Sequence, residues 1–356
     1  MKRMAKHRFP SMISLVRLNI WIVSKYIEIK ERRIRSLLNR SKTRQQLIEK
    51  VLDTLEFLPN IKTVSTSCET DTYTACSLKR LNCLEKISID NKISVEDLIE
   101  ICKSNTNLRV LWIREVVGEL SDIVPHCQNL EEIFFPMLYG HKSYSRLTDL
   151  PKLRNVFIKS INPTSPCAKL IELFDAFAEK KQQTALESLM LFFFLSFEET
   201  SKLIQLSSLK ELRCAFDDAR CIDLLTDLTE LEGLYIMLER TAGGCKECLN
   251  ILRSCQKLQH LHINSTVSIE FTGKALEVLR QVRKPEKQKP LRFYSNGVRH
   301  LCNDKGEEEI DNEYCVVVNR SEYLRASPWR SDLYQLRHCA KRRDQPVGCY
   351  RQLGFF

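Results

Sequence analysis

The sequence predicts an α/β solenoid of about 8 to 10 stacked units, with parallel strands on a concave side and helices on a convex side. Three observations predict it. An apolar residue, two variable ones, a second apolar, one variable and a third apolar recur along the middle of the chain, as in Leu84-x-x-Ile87-x-Ile89. Most successive copies start 22 to 27 residues apart. The segments between copies carry apolar residues at helical period, as in "SVEDLIEICKSN" and "KECLNILRSC".

A short copy, Ile61-x-x-Val64, opens the series. After Leu84-x-x-Ile87-x-Ile89 a helix is expected from Ser94, which is placed to cap it. Leu108-x-x-Leu111-x-Ile113, Leu130-x-x-Ile133-x-Phe135 and Leu153-x-x-Val156-x-Ile158 follow. A step of 33 residues then leads from Leu153 to Leu186 and holds "CAKLIELFDAFAEKKQQ", which reads as a longer helix. Leu186-x-x-Leu189-x-Leu191 and Leu209-x-x-Leu212-x-Cys214 come next, and Asp218 is placed to cap a helix in "DARCIDLLTDL". Leu231-x-x-Leu234-x-Ile236 and Leu258-x-x-Leu261-x-Ile263 complete the clear copies. "PLRFYS" at 290–295 is a degenerate last copy, and "YCVVV" at 314–318 a strand that closes the stack. The expected division is a basic helical arm over 1–50, a solenoid over 51–300, and a cap and weakly ordered tail over 301–356. One strand and one helix cannot bury an apolar face alone, so the units must share a core by stacking.

Composition narrows the function classes. The chain of 356 residues has 10 glycines and contains no GxGxxG, GxxxxGK[ST], HExxH or GxSxG, so the common nucleotide, metalloprotease and hydrolase signals are missing. Residues 1–50 hold 14 Lys/Arg against 3 Asp/Glu, and the rest of the chain holds 41 against 42. The net charge of +10 thus belongs to the arm, and a uniformly basic nucleic-acid surface is disfavoured. Arg17 interrupts the apolar stretch "SMISLVRLNIWIV", and no uncharged apolar run is long enough to span a bilayer. The expected location is cytoplasmic or nuclear, with the 15 cysteines mostly reduced.

"GGCKECLNILRSCQKLQHLHIN" at 243–264 holds Cys245, Cys248, Cys255, His260 and His262, all residue types that bind zinc. The repeat register separates them. Cys248, Leu249, Leu252 and Cys255 share one helical face turned to the core, whereas His260 and His262 alternate with Leu261 and Ile263 and face the other way. No metal and no cofactor are expected. Cys245 and Cys248 alone remain placed to meet as a dithiol.

Two copies carry a cysteine before the anchors, "CQNLEEIFF" at 127–135 and "CQKLQHLHI" at 255–263. Across about residues 55–295 the chain resembles leucine-rich-repeat proteins, and these two copies resemble the cysteine-containing repeats of F-box adaptors. That resemblance implies a substrate-recognition role on an SCF-type ubiquitin-ligase scaffold, with the repeat groove holding a protein substrate. In the place of an F-box the N-terminus offers "RFPSMISLVRL" and Trp21.

Strand alternation names the candidate partner-binding residues. Trp112, Phe134, Phe157, Met190, Arg213, Tyr235 and His262 follow one another between the second and third anchors and are expected to face solvent on the concave side; Arg114 and His260 flank them. Aromatic residues and arginine dominate interface energies, which points to a protein partner. Truncating Phe157 or Tyr235 is then expected to weaken capture with little loss of stability. Stacking of the same rings on one another is the structural alternative. No Ser/His/Asp or paired-carboxylate set recurs, and Glu132 and Glu211 sit three strands apart, so a non-catalytic interaction protein is expected rather than an enzyme. The other functional alternative is RNA or an acidic partner bound through "YIEIKERRIRSLLNRSKTRQQ" at 26–46.

Overall fold

A computed structural model describes residues 18–19, 62–66, 78–137, 143–160, 168–180, 185–216, 218–238, 245–264, 267–295 and 313–318. Among the described residues, twelve strands form one parallel sheet in strict chain order. They are β1 (Leu18–Asn19), β2 (Thr63–Thr66), β3 (Lys86–Ser94), β4 (Val110–Val117), β5 (Glu132–Met137) and β6 (Asn155–Ser160). The second half comprises β7 (Ser188–Leu195), β8 (Glu211–Phe216), β9 (Gly233–Leu238), β10 (His260–Ile263), β11 (Leu291–Ser295) and β12 (Cys315–Val318). A parallel sheet in which every strand neighbours its successor requires a crossover between each pair, and the repeat supplies one.

The register matches the repeat position by position. Val64, Ile87 and Leu111 align as second anchors, as do Leu212, Leu234 and Leu261. These side chains are buried in the main core with the third anchors Ile113, Phe135, Ile236 and Ile263. The expected first copy is β2, the degenerate "PLRFYS" is β11, and "YCVVV" supplies β12. β1 was not anticipated; it pairs Leu18 with Val64 inside the arm expected to be helical. The basic stretch 26–46 and most of the tail lie outside the described residues.

Helices cover the anchor face. They are α1 (Val95–Ser104), α2 (Ala168–Glu179), α3 (Phe197–Leu203), α4 (Arg220–Leu224), α5 (Cys245–Ser254) and α6 (Ile269–Val282). The connections after β4 and β5 use 3-10 turns instead, at Leu120–His126 and Ser145–Asp149. Ser94 caps α1 by accepting from the Asp97 amide at 3.1 Å. Asp218 lies one residue outside the expected cap position, yet its Oδ1 still accepts from the Arg220 amide at 2.9 Å. Sequence periodicity did not single out α3 or α6. α3 carries a full capping box in which Ser196 and Glu199 each accept from the other's backbone N–H.

The position three before each first anchor plugs the gap between strand and helix. Leu81, Cys127, Leu150, Leu206, Leu228 and Cys255 fill it as buried apolar groups. Asn105 fills the same slot in one unit and satisfies its amide internally. Its Oδ1 accepts from the Leu84 amide at 2.9 Å, and its Nδ2 donates to the Ile101 carbonyl at 2.9 Å. At the far end Arg283 is buried and donates to the Leu258 and Lys289 carbonyls.

Candidate partner-binding face

The strand face turned away from the helices divides into two unlike halves. Over β4–β7 the expected binding row has closed on itself. Trp112, Phe134, Phe157 and Met190 form a second apolar cluster, separate from the main core, and none is more than 6% exposed. The expectation that these four face solvent is corrected. In a parallel sheet adjacent side chains of one column stand a strand spacing of about 4.8 Å apart, so large rings cover one another. Trp112 lies 6.3 Å from Phe134 and 6.4 Å, edge to face, from Phe157. Phe192, from the flanking column, packs edge to face on Phe134 at 6.1 Å. The Trp112 indole N–H donates to Glu132 at 2.7 Å, and Lys86 Nζ sits 4.2 Å over its ring. These rings are locked packing units. Arg114 lies beyond Trp112 on the same strand, where it is half-buried.

Arg213 is also corrected from solvent-facing to buried, with 8% exposure. Its guanidinium lies 4.1 Å over the Tyr235 ring and 5.8 Å from the centre of Phe192. It joins the closed half to a more open half over β8–β11. There Tyr235, His260 and His262 are each half-buried. Tyr235 and His262 meet at 4.0 Å edge to face, and Tyr294 continues the row 6.0 Å from His262 and 6.5 Å from His260. Tyr294 was legible only as an alternating residue within a poor repeat copy. Burial, and then the charge of Arg292, hold the His260 pKa below the ordinary histidine value.

Glu211 is the unexpected residue of this half. It pairs in register with Gly233, and a Cβ built on Gly233 would overlap the Glu211 carboxyl group. The carboxyl therefore lies down across the glycine. Burial, with a smaller push from Glu232, raises its pKa from the model-compound value of 4.5 to about 7. The folded form holds this proton more tightly than the unfolded form, so stability from this group falls as pH rises from about 4.5 to about 7. Glu211→Gln is accordingly expected to melt higher than the parent chain at pH 8, with the gap closing by pH 5. An equal gap at both values would contradict the raised pKa.

The cysteine–histidine set at 243–264 is split across the sheet. Cys248 and Cys255 lie in the main core, and burial pushes the Cys255 thiol up to about 12. His260 and His262 sit on the opposite face. The side chain of Cys245 lies outside the described residues. No group of metal-ligating residues occurs among the described residues, and no helix among them is long and apolar enough to cross a membrane.

No protein-family model matches the chain, and no curated protein does. Among solved structures the chain is similar to an internalin from Listeria monocytogenes, at 13% identity over 65% of this chain and 92% of that one, with a TM-score of 0.23. It is also similar to a leucine-rich-repeat protein from Leptospira interrogans, at 14% identity over 58% and 73%, with a TM-score of 0.21. Those scores carry no argument, and the fold rests on strand order and register. Twelve parallel strands in chain order among the described residues, with the same buried anchors recurring from β3 to β10, make this an α/β leucine-rich-repeat solenoid.

Proposed function

We propose that the chain is a non-catalytic protein-interaction solenoid that holds a protein partner on the β8–β11 part of its strand face. The observation that carries this reading is the contrast between the two halves. The aromatic row is sealed over β4–β7 and is only half-buried at Tyr235, His260 and His262 on β9 and β10, between the buried Arg213 and Tyr294. Aromatic residues with an arginine, partly desolvated before binding, suit an interface centre. Tyr235→Ala is expected to weaken capture of the partner at least tenfold while the melting temperature stays close to that of the parent. Unchanged capture by this variant would remove the reading.

The specific form proposed is substrate receptor of an SCF-type ubiquitin ligase, supported by the likeness of the cysteine-containing copies to F-box adaptors. Co-purification with the F-box-binding linker protein, lost on deleting residues 1–55, is the expected result. A linker complex that survives the deletion would place docking elsewhere. The basic composition of residues 1–50 favours a second reading, in which the arm holds RNA or an acidic partner. Salt-sensitive RNA binding that disappears when 26–46 is deleted would support that reading.

A further inference from the structure

The floor of the open half has a shape that the row of rings does not explain. Along the column beside the rings, Ser188, Glu211, Gly233, His260 and Arg292 follow in register from β7 to β11. Gly233 leaves a gap in this column, and the Glu211 carboxyl group fills it from the side. Among the described residues the Glu211 carboxyl group makes no ion pair or hydrogen bond, although its backbone N–H donates to the Glu187 carbonyl. Its neighbours are partnered otherwise: Glu187 lies against Lys210, and Arg213 lies over Tyr235. Among the described residues facing outward on β8–β11, Glu211 is the one carboxylate. It is half-buried, and a carboxylate withdrawn from water without a partner is a cost that an incoming cation offsets.

Resting on the proposed reading of this face, we infer that Glu211, lying over Gly233, is the seat for a lysine or arginine side chain of the protein partner. The glycine at 233 leaves a cation access to the carboxylate from above, with no side chain on that position of β9 to cover it. Arg213 and Arg292 on the same face repel a second positive group and confine it to this position. They do not neutralise Glu211 themselves, because its proton affinity is raised rather than lowered. A nucleic-acid strand would meet this carboxylate with its phosphates, which argues for a basic protein segment instead.

The groups that face Glu211 fix the pH response. Ser188 lies on β7, Arg213 on Glu211's own strand, Glu232 just before β9, Tyr235 on β9 and His260 on β10. Protonation of Glu211 below about pH 7 removes the seat, and protonation of His260 adds a like charge beside the incoming cation. Both act in the same direction, so binding weakens in acid.

The test is a displayed library of random octapeptides panned on the full chain at pH 8. The retained peptides are expected to share a lysine or arginine. Glu211→Gln should reduce their affinity tenfold or more, and lowering the pH to 6 should weaken the parent about tenfold, one decade per unit below the pKa. That pH dependence should persist in His260→Gln and vanish in Glu211→Gln. Glu211→Gln removes an unpaired charge, so a folding defect does not confound it. Retained peptides that lack a basic residue, or that bind Glu211→Gln as well as the parent, overturn the inference. If those peptides are still lost on Tyr235→Ala, the face remains the binding surface. Peptides indifferent to both variants, or none retained, overturn both.

Discussion

Phe157→Ala is expected to lower the unfolding free energy by about 3 kcal/mol, the usual cost of emptying a buried phenylalanine site. Its ring is sealed between Trp112 and Met190 on β4 and β7, and the closed half has no spare side chain to refill the space. The row looks like a binding ladder in sequence, and there the same change would have cost capture and little stability. Sealed rings reverse that expectation. Phe197, 45% exposed on α3, is the matched control, and its alanine variant should stay within about 0.5 kcal/mol of the parent. Denaturant midpoints measure both. A loss below about 1 kcal/mol at Phe157 would mean the cluster is open to water.

Asn105→Leu should cost about 2 kcal/mol, although leucine is the commonest residue at this slot in the other units. The asparagine carbonyl is the acceptor for the Leu84 amide, and its NH2 group reaches the Ile101 carbonyl in the last turn of α1. Leucine fits the apolar surroundings and leaves the Leu84 amide buried without its acceptor, worth about 1 to 3 kcal/mol when orphaned, while the Ile101 carbonyl keeps the backbone N–H of residue 105. Asn105→Asp keeps the acceptor and loses the donor, so it separates the two bonds. Equal stability of Asn105→Leu and the parent would show that the slot tolerates leucine regardless of those bonds.

The fold was legible because one period repeats. Each strand needs anchors at fixed spacing to reach a shared core, so Leu111, Leu189 and Leu261 announce their strands before any geometry is known. The connections built on 3-10 turns were less legible. Leu120–His126 and Ser145–Asp149 are 3-10 turns with too few residues to show a helical period. α3 was missed because its start is written in a capping pair, Ser196 and Glu199, rather than in a stripe of apolar residues.

The candidate face was legible in direction and not in exposure. Alternation correctly placed Trp112, Phe134 and Phe157 opposite the anchors. It carries no information about how far one ring covers the next, which depends on side-chain rotamers across neighbouring strands. Glu211 and Gly233 were both visible in the flanking column, but their relation was not. A glycine beside a carboxylate becomes informative only when the two strands are seen in register.

The most direct measurement is carbethoxylation of histidines in the free chain and in its complex with a captured protein partner. His260 and His262 lie on the β8–β11 strand face, and His126, in the 3-10 turn on the helical side, serves as the internal reference. Partner binding over β8–β11 should suppress modification of His260 and His262 several-fold and leave His126 unchanged. Suppression at His126 with His260 and His262 still reactive would contradict the placement of the partner on this face.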